Sequence, residues 1–258
     1  MREKALNKFE ELLKIMDKLR AECPWDKKQT IESLRHLTIE ETYELSDAIL
    51  NNDLDEVKKE LGDLMLHLVF YSKIGEEQNT FNIADVIESI NKKLINRHPH
   101  IFSDVKVDNA EQVLQNWEDI KLKEKGRKTV LEGVPKSLPA MVKAYRIQEK
   151  AAGVGFDWEK PEQVLDKVKE EYAELQQEIV DGDTKKIEGE FGDVLFALVN
   201  YARQLHINPD DALERTNRKF ILRFNYLEEQ TIQKGKSLRD MTLDEMNVYW
   251  EEAKKLKL

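Results

Sequence analysis

The sequence predicts an all-α protein in which one helical unit is used twice. Three observations carry this. Glycine and proline together number 10 + 6 = 16 of 258 residues, roughly half their usual share, so breakers are few. Apolar residues recur at helical spacing along most of the chain, and no segment alternates with the period of a strand. Finally, residues 40–71 align with 170–201 at a constant shift of 130, with 12 identities in 32 positions: Glu40, Glu41, Glu44, Leu45, Ile49, Asp53, Glu60, Gly62, Asp63, Leu68, Val69 and Tyr71.

The elements follow in order. Residues 4–20 form a first amphipathic helix, with Leu6, Phe9, Leu12, Leu13, Met16 and Leu19 on one face. Cys23-Pro24-Trp25-Asp26 breaks it. Helices follow over 30–51 and 54–75, joined by the polar turn Asn51-Asn52-Asp53, and over 83–97. His98-Pro99-His100 stops the last of these, because proline and the residue before it resist helical backbone angles. A fifth helix is expected over 110–125. Gly126, Gly133, Pro135 and Pro139 then mark 126–139 as a linker. Helical patterning resumes near Met141, breaks at Ala152-Gly153-Val154-Gly155, and continues over 161–181, 184–206, 210–234 and 243–258. The expected domains are therefore 1–125 and 140–258, with 126–139 between them.

Composition limits function. The net charge is 41 − 51 = −10, so the chain lacks the basic footprint of a nucleic-acid binder. The basic cluster 121–128 reads as a solvated linker. No apolar run is long enough to span a membrane, and the N-terminus lacks the apolar stretch of a signal peptide. A single cysteine, Cys23, fits a reducing compartment, so a cytoplasmic setting is expected. An anionic substrate would need a divalent cation to overcome the acidity.

Most of the 51 acidic residues must be solvated, but some sit where solvation does not explain them. On a helical wheel at about 100° per residue, Glu41 and Glu44 overlap the edge of the stripe formed by Leu34, Leu37 and Ala48. The next helix reads LGDLMLHLVFYS over 61–72. It is apolar nearly all round, which predicts burial, and Asp63 is its only acid. The second copy, FGDVLFALVNYA over 191–202, contains only Asp193. A lone buried carboxylate is costly unless paired or bound to metal. Glu60 and Asp63 share a helix face at i, i+3. Two glutamates three apart, facing a Glu and an Asp three apart, make an oxygen cage suited to Mg²⁺ or Mn²⁺. A salt-bridged structural cluster is the alternative.

Each half also carries a cationic pair at i, i+4, Lys93 with Arg97 and Lys219 with Arg223. Either pair could hold phosphate oxygens or form an exposed basic face. Trp117 and Trp250 could stack on a base or belong to the core. His67 becomes Ala197 in the second copy and is read as core. No Gly-x-x-x-x-Gly-Lys-[Ser/Thr] loop occurs, which excludes a P-loop NTPase. None of the five histidines has a glutamate three residues before it, which argues against a ferritin-like di-metal oxidase. A helical scaffold does not explain why Asp63 and Asp193 interrupt apolar helices at the same point. A catalytically degenerate nucleotide-binding regulator remains an alternative.

The order Glu-Glu-x-x-Glu, then Glu-x-x-Asp about sixteen residues on, resembles the MazG family of nucleoside triphosphate pyrophosphohydrolases. So do Cys23-Pro24-Trp25-Asp26, Arg97-His98-Pro99-His100, Glu132-Gly133-Val134-Pro135 and Gly155-Phe156-Asp157-Trp158. The resemblance covers almost the whole chain. It implies two MazG-like helical domains in tandem, usually assembled as a homodimer. It also implies Mg²⁺-dependent cleavage of NTPs and dNTPs to monophosphate and pyrophosphate with broad base tolerance, a housekeeping role in the nucleotide pool. Carried over by position, it makes Glu171, Glu174, Glu190 and Asp193 the metal ligands of the second domain, matched by Glu41, Glu44, Glu60 and Asp63 in the first. It places nucleotide contacts at Lys167, Glu171, Lys186, Lys219, Arg223 and Trp250, and favours the second domain as the catalytic one. Glu170 or Glu188 is the expected orienting or deprotonating glutamate. Lys58, standing where the second copy has Glu188, is expected to weaken the first cage.

Overall fold

The helical reading can be compared with a computed structural model, which describes residues 1–107, 109, 112–113, 116–117, 120, 129–235 and 237–256. Among these residues there are helices and turns but no strand. The chain divides into two compact units, Met1–Asp108 and Asn109–Leu258, a division earlier in the chain than the proline- and glycine-marked segment. Of the expected helix over 110–125, residues 112, 113, 116, 117 and 120 are helical. The rest of it, and the basic cluster 121–128, lie outside the described residues.

Unit 1 contains α1 (Arg2–Glu22), α2 (Ile31–Leu50), α3 (Leu54–Glu77), α4 (Ile83–Arg97) and the single turn α5 (Pro99–Phe102). Unit 2 contains α6 (Ala140–Ala152), α7 (Pro161–Asp181), α8 (Thr184–Gln204), α9 (Pro209–Gln233) and α10 (Leu243–Lys255). Side chains of Thr30, Asp53, Asn82, Asp183, Asn208 and Thr242 accept hydrogen bonds from the first free N–H groups of their helices. These caps fix where each helix starts.

Two equivalent hairpins dominate the packing, α2 with α3 and α7 with α8. Each turns at one residue in the left-handed region, Asn52 at φ 55° and Gly182 at φ 79°. Asp53 and Asp183 follow directly and cap the next helix. The turn sets the register of the hairpin. Glu44 and Glu60 stand 52 − 44 = 60 − 52 = 8 residues either side of Asn52, and Glu41 and Asp63 stand 11 either side. Around Gly182 the same offsets give Glu174 with Glu190 and Glu171 with Asp193. Antiparallel helices with equal rise per residue bring such pairs to one level.

In unit 1, α1 packs on α3, and Met16, Leu34, Val69, Phe70 and Ile74 form the core. In unit 2, α6 packs on α8, and α9 packs on α6, α8 and α10. Buried Val164, Leu175, Ala197, Val199, Leu227 and Ala253 line these contacts.

One expectation fails. The apolar runs of α3 and α8 are not buried all round: Leu61, Met65 and Leu68 of α3 and Phe191, Leu195 and Leu198 of α8 are exposed. Asp63 and Asp193 are exposed with them. The period of the sequence counts apolar positions but not partners. Each helix finds protein on one face only, and the opposite apolar face lies uncovered within its unit. The carboxylate inside the cage that is buried is Glu60, 8% exposed.

Candidate active site

The hairpin geometry gathers the carboxylates. In unit 1, one oxygen each from Glu41, Glu60 and Asp63 lie within 4.8 Å of one another, and in unit 2 the same holds for Glu171, Glu174 and Glu190. Glu44 and Asp193 complete the two sets electrostatically. Burial first, then the charges of Glu60, Glu40 and Asp63, push the Glu44 carboxyl above its ordinary range. Burial, then Glu174 and Asp193, push Glu190 up. Glu41 and Glu60 are raised for the same two reasons, burial and facing carboxylates. Glu60 Oε2 is buried without a hydrogen-bond partner. Like charges at this spacing with an orphaned buried oxygen form a donor set that a hard divalent cation fits: it would supply the missing partner and offset the repulsion. Among the described residues of unit 1, no cation pairs with the four cage acids. Lys58 pairs with Asp55 at 3.0 Å, largely in solvent, and Lys59 pairs with Glu56. Lys58 lies two residues, about 200°, round the helix from Glu60, and its ammonium is held by Asp55.

Unit 2 differs in two cations, Lys167 and Lys186, which stand where unit 1 has Leu37 and Glu56. Lys167 Nζ lies 2.8 Å from Glu170 Oε1 and 2.8 Å from Glu171 Oε1. Hydrogen bonds to Glu170 and Glu171 hold its ammonium far above the ordinary lysine range. Leu37 occupies the equivalent position in unit 1, at 167 − 130. Lys186 reaches Glu178 Oε1 at 3.5 Å. Glu178 Oε2 is buried with no partner, and its charge is among those that raise Glu190. Glu178 thus joins the cage as a fifth acid. The repeat comparison passed over it because Ala48 stands opposite, and a search for residues kept by both copies cannot see one that only the second copy has. The helical period did hold a signal, since Glu171, Glu174 and Glu178 run i, i+3, i+7 along one stripe. Glu188 is exposed and lies about 200° round α8 from Glu190. Glu170 stands beside the cage through Lys167.

The proposed nucleotide contacts on α9 and α10 form their own group. The Trp250 ring lies 5.0 Å from that of Phe220, and the Arg223 guanidinium sits 5.9 Å from the Trp250 ring. Lys219 is exposed on α9. A cavity of about 580 Å³ opens in unit 2, reached by Lys167, Glu171 and Asp193 at its acidic end. Trp250, Arg223 and Lys219 are not among its lining residues. Its loop wall, Phe156-Asp157-Trp158, is tied down by Arg203, whose guanidinium donates to both Asp157 oxygens, 2.9 Å to Oδ2. Gln204 Nε2 donates to Asp157 Oδ1 at 3.0 Å and to the Trp158 carbonyl at 3.1 Å.

Four-carboxylate hairpins, duplicated within one all-α chain, define a class of helical protein with paired acidic sites. Residues 29–102 and 159–227 match the MazG nucleotide pyrophosphohydrolase domain, and this chain belongs to the MazG family. It is 45% identical over 250 residues, 95% of both chains, to a Thermotoga maritima protein named nucleoside triphosphate pyrophosphohydrolase/pyrophosphatase MazG. It is 40% identical over 258 residues, 97% of this chain and 98% of the other, to an Escherichia coli nucleoside triphosphate pyrophosphohydrolase.

Proposed function

We propose that this chain is a divalent-metal-dependent nucleoside triphosphate pyrophosphohydrolase working from unit 2. The names of its relatives support the reaction class. The observation that carries the choice of unit is Lys167 against Glu171 and Glu170 at the mouth of the cavity, with Leu37 in its place in unit 1.

Glu171, Glu174, Glu190 and Asp193 would hold Mg²⁺, or Mn²⁺, which supplies charge neutralisation for a bound triphosphate. Lys167 offers a cation to phosphate oxygens at the cage edge, where charge builds during cleavage. Glu170, hydrogen-bonded to Lys167 at 2.8 Å, is the better placed of the two expected bases to orient a water and take its proton. Water adds across the α–β anhydride: one P–O bond forms, one breaks, and monophosphate and pyrophosphate leave. Unit 1 keeps the cage without the cation and is assigned cation binding without turnover. The uncovered faces of α3 and α8 support a homodimer.

The test is release of pyrophosphate and monophosphate from a panel of NTPs and dNTPs with Mg²⁺. We expect equimolar products from the unaltered chain. Glu171→Gln should lower turnover at least about 100-fold, the scale of losing one electrostatic stabiliser, while Glu41→Gln stays within about twofold. Orthophosphate with NDP instead, or turnover intact in Glu171→Gln, overturns the proposal.

A further inference from the structure

We propose, on the reading of unit 2 as the nucleotide site, that Arg203 is a positioning residue for its substrate. Arg203 holds two groups that line the cavity, one on a loop and one on a helix, and substrate affinity rather than turnover depends on it.

The guanidinium joins two elements. On the loop between α6 and α7, Nη1 donates to Asp157 Oδ2 at 2.9 Å and Nη2 donates to Asp157 Oδ1. On its own helix, α8, Nε and Nη2 donate to Asn200 Oδ1 at 3.1 and 2.8 Å. Asp157, Asn200 and Arg203 all line the cavity. A guanidinium only donates, so Asn200 must turn its oxygen toward Arg203, and its amide nitrogen faces away. Asp157 passes the restraint on. Its Oδ1 accepts from the Trp158 N–H at 2.9 Å and from Gln204 Nε2 at 3.0 Å, and Gln204 Nε2 also donates to the Trp158 carbonyl at 3.1 Å. The neighbouring Phe156 is 84% exposed, so apolar burial does not hold this stretch and the hydrogen bonds do. The Arg203 and Asp157 side chains are 13% and 26% exposed, so water competes little for a charged fork of this kind.

Unit 1 is the internal comparison. Phe70 stands where unit 2 has Asn200, at a shift of 130. An arginine lies against it too, but from another element: the Arg20 guanidinium, on α1, sits 5.4 Å from the centre of the Phe70 ring. Arg20 also donates to the carbonyls of Asp26 and Gln29, 3.1 Å to the latter, and from Nε to Glu77 at 2.9 Å. Lys73, at the position of Arg203, pairs with Asp17 at 2.6 Å and Glu76 at 2.8 Å instead. Each unit thus ties the loop before its hairpin with an arginine. That of unit 1 covers a core ring, 2% exposed. That of unit 2 holds an amide and a loop on the wall of a cavity. The same restraint serves packing in one unit and a ligand in the other.

Freed from the fork, the loop and the amide must be ordered again whenever a ligand binds, and that cost weakens affinity. The acidic hairpin is untouched, so the chemical step keeps its rate.

The experiment follows ATP cleavage and, by calorimetry, binding of α,β-methylene ATP, whose α–β linkage water does not cleave. Arg203→Met should raise KM for ATP and Kd for the analogue about tenfold while kcat stays within about twofold, the pattern of lost binding without lost chemistry. It leaves the Asp157 carboxylate without its partner, which costs stability. Arg203→Lys therefore serves as the second variant: it keeps the charge and gives up the fork. With helical circular dichroism unchanged, it should still raise KM and Kd at least about threefold. Arg20→Met removes the equivalent restraint in unit 1 and should leave KM and Kd within about twofold. Unchanged KM and Kd in a folded Arg203 variant overturn the assignment. So does a fall in kcat without a rise in KM, which would place Arg203 in the chemistry. An equal rise in Arg20→Met would mean that any loosening of the fold raises KM, and overturns it as well. A chain that binds the analogue but releases no pyrophosphate sinks the parent reading alone, and the calorimetric comparison still decides the role of Arg203.

Discussion

Lys167 and Glu178 show what single residues contribute beyond the repeated pattern. The eight carboxylates were legible because both copies keep them at matching positions. Lys167 was legible only through the family resemblance, and Glu178 was missed, because each is unique to unit 2 and repetition cannot reveal it. Asp157 is a third such residue, and its role is positional. Burial pushes its carboxyl up, but hydrogen bonds from Arg203, the Trp158 N–H and Gln204 outweigh that and hold it below its ordinary range. A depressed folded pKa contributes stability above the unfolded value, about 3.9, and that stability is lost as pH falls through the folded value. Asp157→Asn should therefore cost about 2 kcal/mol at pH 7, in the range for hydrogen bonds to a charged group. The difference from the unaltered chain should shrink progressively below about pH 4. Urea unfolding across this pH range checks it, and a difference that does not depend on pH would assign the loss to packing.

At the scale of elements, the two hairpins are the device that turns sequence spacing into a site. The periodicity predicted their helices well, because long amphipathic segments joined by turns that end in the caps Asp53 and Asp183 leave little choice. It could not predict which apolar face finds a partner, so the burial of α3 and α8 was overstated. The turn matters more than its length suggests. Gly182 sits at φ 79° with nothing near a would-be Cβ, so a side chain meets backbone strain rather than collision. Gly182→Ala should cost about 1 kcal/mol, lowering the melting temperature of a unit this size by about 2–4 °C. Gly182→Asn should cost less, since Asn52 holds φ 55° at the equivalent turn and Asn tolerates this region better than Ala. Thermal melts of the two variants decide it. Equal costs would show that the turn does not select its residue by φ.

At the scale of the whole molecule, the uncovered apolar faces demand an account. Leu61, Met65 and Leu68 recur along one side of α3, and Phe191, Leu195 and Leu198 along one side of α8, all about half exposed. Scattered surface leucines are ordinary, but a continuous helical stripe in both copies is the kind of face a partner covers, as the proposed homodimer requires. On the same helices Glu60, Asp63, Glu190 and Asp193 lie about 100–160° round from the stripes, so a partner on the stripes leaves the cages to their hairpins. A dimer needs about 1,200–2,000 Å² of buried surface, which two helical stripes per chain can help provide. Sedimentation should then give twice the 30.3 kDa chain mass. A charge placed on an exposed side chain costs an isolated unit little, so Leu68→Glu with Leu195→Glu should leave each unit folded, with helical circular dichroism unchanged, while the sedimenting mass falls to one chain. Cation affinity should be unchanged in the same variant, because stripe and cage lie on different sides of each helix. A chain that sediments as a monomer before any substitution assigns the stripes to some other surface.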